Sequence, residues 1–199
     1  ADSDGDGVLD GKDKYPLYPF KPEIRRATVK VNGDPAKWKE KPDYLLDHEG
    51  IKLRGWARWD KDYLVYAFAI EGDWRKVTLV VDQDADGFYA GGDNVYAEFA
   101  PGPDGVPQKA NVRVHYCNLG RWPWFDDKHD FIKPEAYPFA AAKKDGVAYF
   151  EFACPRNEMC GLGLKAGEEV GMALYIGLPD KGAISLFEPW NIFDSLLKE

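Results

Sequence analysis

Serine, histidine, cysteine and methionine are scarce in this chain, and each shortage narrows what it can do. Three serines are present, Ser3, Ser185 and Ser195, and none stands in a nucleophile elbow, which argues against a serine hydrolase. The three histidines, His48, His115 and His129, are scattered. No HExxH, CxxC or phosphate-loop pattern accompanies them, so zinc hydrolysis, dithiol redox chemistry and nucleotide binding have no residues to carry them. Positive charge is also short: 26 Lys and Arg face 34 Asp and Glu, for a net charge of −8. A nucleic acid or an anionic membrane surface finds no basic stripe to hold it. No apolar run reaches the roughly 20 residues that span a bilayer. Cys154 and Cys160 bracket the short segment CPRNEMC and could close a small disulfide in an oxidising compartment, or stay buried thiols; Cys117 is left single.

Helical periodicity is missing as well. From Ile24 onward the apolar residues fall into short strand-like runs: IRRATVKV, IKLRGWARW, YLVYAFAI, VTLVV, NVYAEFA, NVRVHYC, VAYFEFA and EVGMALYIG. Turn chemistry separates them, as in NGDP, GPDG, KKDG and KAGE. About eight to ten such strands predict an all-β, antiparallel two-sheet β-sandwich. Both alternating sets of YLVYAFAI are apolar, as a central strand covered on two faces requires. Trp56 and Trp59 are three apart in a strand and so belong to opposite faces. Residues 34 to 46 read as a possible helical turn, kept short by Pro42.

What the chain does have is acid at fixed spacing. In DQDADGFYAGGD, residues 82 to 93, Asp82, Asp84 and Asp86 occupy alternate positions, Gly87 follows, the carbonyl of Phe88 takes the seventh place and Asp93 the twelfth. This is the ligand order of an EF-hand loop without its helices, and it predicts Ca²⁺, a hard cation that takes six to eight oxygens. The alternative is a solvated acidic turn between strands. The stretch DSDGDGVLDGKD repeats the order with Asp2, Asp4, Asp6, the Val8 carbonyl and Asp13. It resembles a thrombospondin type 3 repeat, with Pro16 close behind, although the usual cysteine is absent. That resemblance implies a calcium-stiffened spacer over residues 1–20, ahead of a main domain over 21–199. Since Ala1 opens directly on this repeat, the chain reads as a segment of a longer parent protein whose targeting signal lies elsewhere. The expected location is secreted or cell-surface, with other domains of the parent as neighbours.

Four stretches, VNGDPAKW, LRGWARWDKDYLVYAFAIEGDW, DGVAYFEFACP and EEVGMALYIGL, followed by EPWNIFDSLL, occur in an order that resembles the family 9 carbohydrate-binding modules, within the wider DOMON-like group. The resemblance covers about residues 25 to 198. It implies a non-catalytic module that holds sugar between two aromatic rings and uses calcium structurally. Trp74, which follows a long strand at the loop position EGDW, matches the first clamp ring, and Phe187 and Trp190 are the candidates for the second. Where that family has a sugar-contacting glutamate, this chain has Thr78. The loop NLGRWPWFDDKHDF adds Arg121, Trp122 and Trp124, either as a binding surface or as rings that cover an open end of the core. Two rival readings stand beside a carbohydrate partner: a structural or protein-interaction spacer without a sugar site, and a haem domain using Met159, Met172 or the histidines, as some DOMON-like domains do.

Overall fold

The computed structural model describes residues 23–87, 94–115, 134–180, 182–186 and 192–199, together with Ser3, Leu9, Gly11 and Lys12. The chain is all-β: the described residues form twelve strands and three single-turn 3₁₀ segments. The strands are β1 (Glu23–Arg26), β2 (Tyr44–His48), β3 (Ile51–Trp59), β4 (Tyr63–Glu71), β5 (Lys76–Asp82) and β6 (Asn94–Pro101). Then follow β7 (Pro107–His115), β8 (Phe139–Lys144), β9 (Val147–Pro155), β10 (Glu169–Gly177), β11 (Ala183–Ser185) and β12 (Phe193–Lys198).

Hydrogen bonding links ten of them in the order β7-β6-β5-β10-β12-β1-β3-β4-β9-β8, with β2 paired to β3 and β11 to β10. The two ends of this path come close enough for Lys109 Nζ on β7 to donate to the Tyr137 carbonyl just before β8, at 3.0 Å, so the sheet curls into a near-barrel around one core. Only β1 runs parallel to its neighbours, β12 on one side and β3 on the other. The Trp59 indole reinforces this junction, since its Nε1–H lies 3.0 Å from the Ile24 carbonyl and 2.9 Å from that of Lys198.

β4 has the two-sided burial that its sequence predicts. Leu64, Tyr66, Phe68 and Ile70 enter the main core with Phe99, Phe150 and Phe152, where the rings of Phe99 and Phe150 meet at 4.6 Å. Each fully buried side chain of this size contributes roughly 1.5–3 kcal/mol. Ala67 and Ala69 face the other way, into a smaller cluster with Trp56, Tyr149, Trp38 and Val147. Trp56 and Trp59 therefore do lie on opposite faces, and both are buried.

The smaller cluster is closed by the segment between β1 and β2, residues 27–43, which crosses the outer face of β3, β4 and β9 as a strap. Its helical turn amounts to Pro35–Lys37, started by Asp34, whose Oδ1 accepts from the Ala36 N–H at 2.9 Å. After that, the chain extends and pairs as β2, a strand the sequence reading had placed in the helical turn.

Candidate functional site

Glu151, on β9, holds the strap down. Its Oε1 accepts from Trp38 Nε1 at 2.7 Å and Tyr149 OH at 2.9 Å and lies 2.7 Å from Lys37 Nζ, while Oε2 accepts the Asn32 and Gly33 N–H groups, each at 2.9 Å. The carboxylate is fully buried and would be costly there without these donors. Burial on its own raises the carboxyl pKa; the bonds from Lys37, Trp38, Gly33 and Asn32 outweigh that and leave it below the usual glutamate range. A depressed folded-state pKa gives stability that is complete above the unfolded value, near pH ~4.3, and is lost as pH falls through the folded value. The strap's attachment is thus strongest at neutral pH. Two of the motifs that carry the family resemblance, VNGDPAKW and VAYFEFACP, meet physically at this carboxylate.

At the end of β5 the acidic loop gathers Asp82, Asp84 and Asp86, whose carboxylate oxygens lie within 4.8 Å of one another. Asp82 is buried and the other two are exposed. The loop closes on itself: Gly87 N–H donates to Asp82 Oδ2 at 2.9 Å, and Asp86 N–H to Asp84 Oδ1 at 3.2 Å. Gly87 has φ +79°, a left-handed turn that glycine takes without strain. The turn after β9 packs behind it so closely that a Cβ on Gly161 would stand 2.4 Å from the Asp84 Cβ. Three carboxylates at this spacing repel one another by several kcal/mol at an effective dielectric of about 20. The donor set, all oxygen and all anionic, fits a hard divalent cation of the size of calcium. Phe88 and Asp93, the remaining predicted ligands of this loop, lie outside the described residues, as do Asp2, Asp4, Asp6, Val8 and Asp13 of the N-terminal repeat.

Of the expected aromatic clamp, only Trp74 falls among the described residues. Trp74, between β4 and β5, is 7% exposed and packs in the main core with residues such as Val77 and Ile176. The chain leaves β4 through Gly72 at φ +108°, where a Cβ would meet the Gly50 carbonyl at 2.4 Å, and this turn precedes the buried indole. A loop position in the sequence thus becomes a core position, and the indole face is not offered to a ligand. Phe187, Trp190, Arg121, Trp122 and Trp124 fall outside the described residues. Of the residues considered for haem, Met172 is in the core, Met159 is 81% exposed and His48 is exposed on β2. Cys154 and Cys160 are both buried and are not joined as a disulfide.

A polar row that the sequence reading missed crosses the outer face of five neighbouring strands. Strand register puts Ser185, Tyr175, Thr78, Glu98 and Asn111 side by side on β11, β10, β5, β6 and β7. Four strand spacings make the row roughly 19 Å long. Glu98 sits near its centre, accepting from Lys76 Nζ at 2.8 Å and from Asn111 Nδ2 at 3.4 Å. The Lys76 hydrogen bond is the main reason its carboxyl lies below the usual range. Beside it, in the adjoining row, the Arg113 guanidinium lies 6.0 Å from the Tyr96 ring centre. Glu98 stands directly across from Thr78, so the face carries a carboxylate one strand away from where the family resemblance places its glutamate. The signal was in the sequence, in the polar phase of NVYAEFA and NVRVH, but alternation alone does not say which strands adjoin.

No family model matches the sequence, and no curated protein matches it. Solved structures do. A family 9 carbohydrate-binding module from Caldicellulosiruptor kristjanssonii in complex with glucose superposes with a TM-score of 0.61 at 9% identity, over 88% of this chain and 94% of that one. A family 9 module from the same organism in complex with cellotriose gives 0.57 at 10%, over 88% and 92%. A candidate carbohydrate-binding protein from Bacteroides uniformis gives 0.51 at 9%, over 88% and 98%. At such identities the likeness is one of fold, and the fold of this chain is that of the family 9 carbohydrate-binding modules.

Proposed function

We propose that this chain is a non-catalytic, calcium-stabilised carbohydrate-binding module of a larger secreted protein. The observation that carries the reading is the polar row centred on Glu98. It sets hydroxyl, carboxylate and amide groups on a rigid sheet face, at spacings that suit the hydroxyls of a neutral sugar. The bound sugars of two modules with the same fold, glucose and cellotriose, support the ligand class. Calcium would be held by Asp82, Asp84 and Asp86, with Phe88 and Asp93 completing the set, and would supply charge neutralisation that fixes the end of β5, four residues along the strand from the row. The N-terminal repeat would bind a second ion and act as a stiff connection to the rest of the parent protein.

A direct test is titration of soluble neutral oligosaccharides and sedimentation with insoluble polysaccharides, in calcium and in chelator. Binding in calcium is the expected result; no binding to any glycan removes the reading. The calcium part has its own test. Asp86→Ala changes an exposed side chain and is expected to leave metal-free stability within about 0.5 kcal/mol of the parent. The rise in Tm on adding calcium should shrink sharply, as differential scanning calorimetry would show. An equal rise in both proteins would rule out Asp86 as a ligand.

A second reading, a spacer or protein-interaction module without a sugar site, is favoured by one observation, the burial of Trp74. The same titrations decide between the two.

A further inference from the structure

We infer that the outer face beneath the strap holds a second sugar site, separate from the Glu98 row, that takes one pyranose ring of a neutral glycan. A cavity of about 280 Å³ opens between the strap and the sheet there. Trp38, half-buried, forms its aromatic wall above the buried rings of Trp56 and Tyr149, with the rings of Trp38 and Trp56 5.9 Å apart and tilted by 32°. Arg54, Lys144 and Asp145 form its polar rim.

Two features select the ligand. The hydrogen-bonding atoms of the wall are already committed: Trp38 Nε1 and Tyr149 OH to Glu151, and Trp56 Nε1 to the Glu40 carbonyl at 3.1 Å. What Trp38 leaves open is apolar ring surface, which suits the C–H face of a pyranose and gives nothing to a phosphate or carboxylate. The rim, in turn, is balanced. Arg54 is paired with Glu71 at 3.2 Å, and Lys144 and Asp145 offset each other, so the site presents donors and acceptors without net charge. A polyhydroxylated neutral molecule meets both conditions.

Trp38 also borders a second cavity of about 230 Å³, lined by Thr28, Lys30, Glu40 and Arg58 among others. A disaccharide whose second ring reaches this cavity, against the Arg58 guanidinium that lies 5.8 Å from the Trp38 ring centre, is therefore expected to bind more tightly than a monosaccharide. With so small a ligand and so much of the wall already covered, affinity on the order of millimolar is expected. Its value lies in avidity, since two weak sites on one module raise retention on a polymer well beyond either alone. The site shares the ligand class with the reading above and does not depend on the Glu98 row.

The test is a titration of the ¹⁵N-labelled full chain with cellobiose, maltose, mannobiose and xylobiose, read at the tryptophan indole Nε1–H signals. At least one disaccharide is expected to shift the Trp38 and Trp56 signals saturably. Val147→Trp, which fills the cavity from β9 and leaves the Glu151 donors in place, should abolish those shifts. Lys144→Ala, an exposed change that leaves the fold intact, should weaken binding several-fold. Glu98→Ala should leave them unchanged while removing the response of the Asn111 side-chain amide. Trp38 and Trp56 signals that stay still with every disaccharide while Asn111 responds would overturn this site alone. Shifts that survive both Val147→Trp and Lys144→Ala would overturn it too, and silence at both places would take the carbohydrate reading with it.

Discussion

Trp74→Ala is expected to destabilise the protein by about 3–5 kcal/mol, the cost of removing a large buried ring. The indole is 7% exposed and belongs to the one large core cluster, which draws side chains from most of the strands, so little of the cavity can collapse. Against a typical total of about 5–15 kcal/mol, this is a large share of the folding free energy. Urea unfolding followed by circular dichroism measures it. An exposed clamp ring would behave in the opposite way: the melt would barely move, and sugar affinity would fall. The structure predicts the first pattern, with any loss of binding tracking the loss of folded protein.

Glu151→Gln is expected to cost a similar amount, about 3–5 kcal/mol, because it breaks a buried and fully partnered charge. The substitution preserves shape but leaves a single acceptor oxygen. Whichever way the amide turns, its NH₂ faces either the Asn32 and Gly33 N–H groups or the Trp38, Tyr149 and Lys37 donors. Tyr149→Phe removes only one of these donors and should cost about 1 kcal/mol. The pH dependence gives an independent readout. The parent loses the Glu151 contribution as pH falls below about 4.3, whereas the Gln variant has none to lose. The stability gap between the two proteins should therefore narrow in acid; a gap that is constant from pH 7 to pH 3 would contradict the assignment.

These two residues also mark what could be read from the sequence. The strands with strong alternation, β3 to β7, β9 and β10, are legible from local pattern, because burial on one or two faces dictates it. Others are not. β8, FAAAKK, has little β-propensity and owes its place to pairing with β9. β2 is a short edge strand that caps half of β3, and β1, although its run IRRATVKV reads as a strand, pairs in parallel, which no local signal announces. The acidic loop was legible because a metal site imposes spacing on consecutive residues. The Glu98 row was not, because its five members come from five strands and are brought together only by register. Trp74 was misread for a related reason: its position after a glycine turn resembles a loop in the sequence, and only the packing of the closed sheet shows it is inside. Glu151 and the Asn32–Gly33 amides lie in motifs that were both noticed, yet their contact spans more than a hundred positions.

The measurement that bears most directly on the account is isothermal titration of neutral oligosaccharides, in calcium, into the parent chain and into Glu98→Ala. Glu98 lies on the outer face of the sheet with its side chain 18% exposed, and its Lys76 partner is itself exposed, so the substitution should lower the melting temperature only modestly. The account predicts saturable binding by the parent and at least a tenfold loss in the variant, corresponding to about 1.4 kcal/mol. Equal affinity in both proteins would contradict the placement of the sugar on the Glu98 row, and no heat of binding with any glycan would contradict the carbohydrate-binding function itself.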